Sequence, residues 1–174
     1  MANYGVDTVA SGAVRYLRTF PDIAALIGAF PPGDVNAGLP FIFQEDLLVT
    51  LEGQSSMAVV CSDAGGWGAS SIPLTTPQYM RLSVEVYADP QRDAFNNITE
   101  SRGGLRQRTM QLFQTVNTHL HRTNPDPIAW GDLRTVGCEL LTRPLPQPVE
   151  DGDMMQVWQA YYGVLVLGAI DAIV

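Results

Sequence analysis

Between Met80 and Arg122 the hydrophobic period of the chain changes from two to between three and four, and that change dictates the core. Met80, Leu82, Val84, Val86 and Ala88 fall on one face of an extended segment, and Arg81, Ser83, Glu85 and Tyr87 fall on the other. Strict alternation of this kind predicts a strand with one buried face. The pair Asp89-Pro90 ends it, because proline has no N–H for a ladder and restricts the residue before it. After a polar connection, Leu105, Thr109, Leu112, Phe113, Val116 and Leu120 recur in steps of three and four, the stripe of an amphipathic helix. The other side of that helix carries Arg102, Arg106, Arg108, Gln111 and Gln114. A one-sided strand followed by a one-sided helix buries both apolar faces by packing them together. The expected fold is α+β: a mainly antiparallel sheet packed by one long helix, with a helical arm in front.

The 174 residues suit a single domain over 1–174, with an arm at 1–30 and a sheet-and-helix core at 40–174. Only 16% of residues are charged, against about 25% in an average soluble domain. The surface is correspondingly neutral, and such a surface suits covering by copies of the chain or by a partner. All ten basic residues are arginine, and the net charge is −8. General nucleic-acid binding needs a basic face that displaces counterions, so this balance argues against it. The opening MANYGVDT has neither a basic nor an apolar region, so no secretion signal is expected. The apolar run Ala160–Ile170 is too short to span a membrane. Cys61 and Cys138 sit in strand-like runs and are expected as buried free thiols.

Taken in order, Asp7 or Thr8 can cap a first helix with Val9, Ala13, Val14, Leu17 and Phe20 on its apolar side. Pro21 interrupts it and opens a second short helix over Asp22–Ala29, with Ile23, Leu26 and Ile27 inward. Phe41–Phe43 reads as a short extended piece. Leu47–Leu51 and Met57–Cys61 read as a hairpin around a polar turn. A long glycine-rich loop follows at 63–71, and Trp67 within it reads either as a lid on its own sheet or as an anchor for a neighbouring subunit. Leu133–Arg143 is a further strand, with Val136, Cys138 and Leu140 on one face. A proline-punctuated acidic connection with Glu150, Asp151 and Asp153 leads to a last strand over Met154–Leu167. Both faces of that strand are apolar by its end. The helix layer covers one, and a neighbouring copy is a natural cover for the other.

No catalytic constellation emerges. His119 and His121 point about 200° apart on a helix and cannot share one metal. The glycines near Trp67 lack the lysine and hydroxyl of a phosphate loop. The pair Gly103-Gly104 reads as a frayed helix start, and the acidic turn lacks the rest of a calcium loop. No metal or cofactor is expected. A small enzyme using Cys61 or His119 stays open as a lesser alternative, as does a monomeric ligand-binding domain. Arg102, Arg106 and Arg108 read either as a solvated face or as an interface meeting Glu150, Asp151 and Asp153 of another copy.

The order of elements, with the run Val84–Ala88 before the helix and Glu150–Asp153 before the last strand, resembles the tail terminator (tail completion, minor tail) proteins of long-tailed bacteriophages. The resemblance covers nearly the whole chain and rests on element order and weak local similarity. It implies a structural virion protein and no enzyme. It also implies a homo-oligomer, a hexameric ring at the head-proximal end of the tail, assembled in the host cytoplasm. Such a ring ends growth of the tail tube protein and offers a joining surface to the head connector protein. DNA passes through its lumen without specific binding. A head-closure or adaptor ring of the same connector is the alternative.

Overall fold

The computed structural model describes residues 8–44, 57–64, 78–121, 128–131, 133–147 and 155–169. Within them lie three helices: α1 (Val9–Leu17), α2 (Pro21–Ile27) and α3 (Arg102–Leu120). Seven strands accompany them: β1 (Ile42–Gln44), β2 (Met57–Asp63), β3 (Gln78–Ala88), β4 (Ile128–Trp130), β5 (Leu133–Leu140), β6 (Leu145–Pro146) and β7 (Gln156–Ala169). The strands form one sheet in the order β1-β2-β3-β7-β5-β4, with β6 also paired to β7. All pairings are antiparallel except β1 with β2. The fold is α+β with a mainly antiparallel sheet, as the alternation in β3 requires.

β3 and β7 pair along eleven positions, from Gln78 opposite Val166 to Ala88 opposite Gln156. That register puts Leu82 beside Tyr162, Val84 beside Ala160 and Val86 beside Trp158, all buried on the helix side. All six apolar-stripe residues of α3 are buried, so the helix lies on the sheet as its sequence demands. The Tyr162 hydroxyl donates to Asn117 Oδ1 at 2.9 Å, fixing α3 over the central strand.

α1 joins this same core. Thr8 caps it, its hydroxyl oxygen accepting from Ser11 N at 3.2 Å. Asp63, at the end of β2, accepts from Ala10 N at 3.0 Å and places a carboxylate at the positive end of the helix. Tyr16 stacks on Trp130, Phe20 meets Tyr16 edge-on, and Phe20 stacks on His119 at 3.7 Å between ring centres. The front helices are thus tied to β4 and to the end of α3. α2 ends at Ile27 because Gly28 adopts φ 78°.

Two details differ from expectation, and a third refines it. The inward positions of β5 are Leu133, Thr135 and Cys138 rather than an unbroken Val136, Cys138, Leu140 series, since Val136 is only half-buried. The reason is a bulge: Thr135 and Gly137 oppose the adjacent residues Val166 and Leu165, leaving Val136 as the extra residue. The glycine pair 103-104 lies inside the first turn of α3, because Ser101 caps the helix one residue earlier. The outer face of the sheet is divided, polar near the start of β7 and apolar toward its end, where the sequence placed it. At one end Gln159 donates to Ser83 Oγ and Glu85 Oε1, and the Tyr87 hydroxyl donates to Glu85. At the other end Tyr79, Tyr161 and Leu165 are exposed. The expected strand Leu47–Leu51 lies outside the described residues.

Candidate interaction surface

The surface of interest is built around the first half of α3. Ser101 has extended backbone and its hydroxyl accepts from Gly104 N at 3.1 Å, so the helix begins at Arg102. Arg106 and Arg108 are two residues apart and therefore leave the helix about 200° apart. Their guanidinium groups meet different surroundings on opposite flanks.

On one flank Arg108 is used within the chain. Its Nε and a terminal nitrogen bond the two carboxylate oxygens of Glu100 at 3.0 and 2.7 Å, and the guanidinium also donates to the Asp89 carbonyl. Both side chains are largely buried, at 17% and 11% exposure. The hydrogen bond from Arg108 is the main cause that holds the Glu100 carboxyl below its ordinary value. Gln91 N donates to the same carboxylate at 3.1 Å. This clamp closes the base of the connection between β3 and α3.

That connection is a small ordered loop. Arg92 and Ile98 bridge across it, and Asp93 N donates to Asn97 O at 2.9 Å. The Asp93 carboxylate accepts from the backbone N–H groups of Phe95 and Asn97 and from the Asn97 side chain. These donors, the Asn97 side chain first, hold Asp93 below its ordinary value, so it is an anion at neutral pH. Asn96 turns the chain at φ 66°. The tip presents Phe95, which is 86% exposed.

On the other flank Arg106 lies over the Trp158 ring, 5.9 Å from its centroid. The two residues help line a groove of about 540 Å³ with Met110, Arg143, Pro146 and Met155. Pro146 is held there by pairing with Trp158 on β7. Two arginines and no carboxylate line this groove among the described residues.

Of the residues singled out in the sequence, the structure places Arg102 and Arg106 on exposed positions of α3 and Arg108 in the Glu100 clamp. Trp67, Glu150, Asp151 and Asp153 lie outside the described residues. Phe95, Arg143 and the Trp158 groove were not anticipated. The signal for Phe95 was present: it is the single aromatic residue in a mostly polar connection.

The candidate catalytic groups have structural settings. Cys61 and Cys138 are buried thiols, and neither is in a disulfide. Burial, with the nearby Asp63 charge, pushes the Cys61 thiol up to about 12, so it is protonated and poorly nucleophilic at neutral pH. His119 packs on Phe20 and bonds Asp22 at 2.8 Å, and His121 Nδ1 accepts from Leu140 N. Among the described residues no three His, Cys, Asp or Glu side chains gather as a metal site. Among them, too, no helix is long and apolar enough to cross a membrane.

No model of a known protein family matches the chain, and no curated protein sequence matches it. Among solved structures, the fold is similar to a chain in the virion of a native gene transfer agent particle. The TM-score is 0.58 with 17% identity, over 94% of this chain and 98% of that one. The likeness is of whole chain to whole chain, and at this identity it speaks to the fold.

Proposed function

We propose that this chain is a structural virion protein of the tail terminator type. Six copies form a ring at the head-proximal end of a phage or phage-like tail. The ring ends polymerisation of the tail tube protein and offers the surface to which the head connector protein docks. The observation that carries this reading is a likeness of fold, over nearly the full length of both chains, to a chain of a gene transfer agent virion. The element order that resembles the tail terminators is independent support.

The physics of the chain suits the role. A ring of identical subunits uses one heterologous contact that closes by rotation, so each copy needs two different and complementary surfaces. The two flanks of α3 differ in this way. A net charge of −8 suits a lumen through which DNA moves without being held. Arg102 and Arg106 are proposed subunit contacts toward Glu150, Asp151 and Asp153 of a neighbouring copy, with Trp67 as a docking anchor. Arg108, engaged by Glu100, serves that surface by fixing the loop beside it.

The test is the mass and symmetry of the purified protein by mass photometry and negative-stain microscopy, followed by addition to growing tail tubes. Sixfold rings that cap one end of the tube and stop its growth are expected. Rings that leave tube length unchanged would instead favour a head-closure or adaptor ring.

A further inference from the structure

Phe95 and the Trp158 groove are a plug and a socket on one chain. Phe95 is 86% exposed on a loop whose backbone is already fixed by Asp93, Asn97 and the Arg108–Glu100 clamp. A rigid loop loses little conformational freedom on binding, so an exposed aromatic ring at its tip is a preorganised anchor. The groove is apolar at Met110, Met155, Pro146 and Trp158 and positive at Arg106 and Arg143. The loop carries the Asp93 carboxylate two residues from Phe95. The groove therefore suits an aromatic ring accompanied by an anion, and the loop presents that combination.

The two features leave α3 on opposite flanks, since the loop is fixed through Arg108 and the groove is lined by Arg106. A plug on one flank and a socket on the other define a head-to-tail contact, in which each copy gives its plug to the next.

We infer that Phe95 of one copy seats in the Trp158 groove of a second copy of this chain, with Asp93 facing Arg143. This inference rests on the proposed ring and names the residues of its subunit contact.

The test mixes two single variants, Phe95→Cys and Met110→Cys, under mild oxidation. The native thiols Cys61 and Cys138 are buried and do not compete. Rapid formation of the mixed disulfide is expected, with none between Val35→Cys and Met110→Cys, Val35 being 99% exposed elsewhere on the surface. Phe95→Ala, a change on an exposed loop, is expected to weaken self-association about tenfold or more without changing the unfolding midpoint at dilutions where both proteins are monomeric. Wild-type rings with no mixed disulfide and an unaffected Phe95→Ala variant would overturn the plug and leave the ring reading intact. A chain that stays monomeric and forms no mixed disulfide would overturn the plug, and tube capping then judges the ring reading separately.

Discussion

The backbone carbonyl of Trp130 lies 2.7 Å from the point that a Cβ on Gly12 would occupy. α1 therefore approaches β4 closely, and glycine is the residue that allows it. At Gly163 the nearest atom to such a Cβ is the Tyr79 hydroxyl, the far end of a half-exposed side chain. The two glycines face different obstacles, one a backbone carbonyl within a strand and the other a ring that can swing away.

Gly12→Ala is accordingly expected to cost about 2–3 kcal/mol, the upper part of the range for overpacking. Gly163→Ala is expected to cost less than about 1 kcal/mol, because Tyr79 can move off. Urea denaturation of both variants checks this. Equal costs would mean that α1 can shift away from the sheet.

The Arg108–Glu100 pair makes a pH-dependent contribution. The folded-state pKa of Glu100 lies below its ordinary 4.5. The stabilisation is therefore complete above about 4.5 and is lost as pH falls through the lower folded value. Asp93 behaves in the same sense, its folded pKa lying below its ordinary 3.8. Amide exchange at Phe95 and Asn97 is expected to accelerate below about pH 4 before global unfolding. A double-mutant cycle with Glu100→Gln and Arg108→Gln is expected to give a coupling of about 1 kcal/mol or somewhat more, as for a well-formed bidentate pair. No coupling would mean that the loop holds its shape without the clamp.

Much of the fold was legible because β3 and α3 each have one apolar face. Every inward residue read from their periods is buried. The sequence misled where local chemistry overrides period. The bulge at Val136 reverses the face of β5 within one residue, and its one sequence hint is the adjacent Gly137. Thr135 is buried because its hydroxyl finds the Ile128 carbonyl at 3.2 Å, a partner that cannot be seen without the β4–β5 pairing. The parallel pairing of β1 with β2 was likewise hidden, because it joins segments that are not consecutive in a simple hairpin. At the site, the spacing of Arg106 and Arg108 already put them on two flanks of the helix, but the use of Arg108 within the chain depended on finding Glu100 beside it. The groove was invisible because Trp158 and Pro146 meet only through strand register.

Reversing charge at Arg102→Glu and Arg106→Glu is expected to weaken self-association by an order of magnitude or more. Both side chains are exposed and Arg106 gives up only its contact with Trp158, so the stability of the monomer should change by no more than about 1 kcal/mol. Sedimentation and thermal unfolding separate the two effects. An unchanged oligomer would exclude this arginine face as a subunit contact.

Cys61 is expected to resist maleimide labelling in the native protein at pH 7–8 and to react only as the chain unfolds. Burial is the main cause that keeps its thiol protonated. Cys61→Ser buries a hydroxyl and is expected to cost about 1–3 kcal/mol, while the folded fraction still assembles. Rapid native labelling, or loss of function without loss of stability, would reopen a catalytic role.

The proposed role in ending the tail tube is tested most directly by electron microscopy of particles assembled without this protein. Tails of abnormal length that fail to join heads are the expected result, with normal length and joining restored when the protein is supplied. Tails of normal length in its absence would contradict the account.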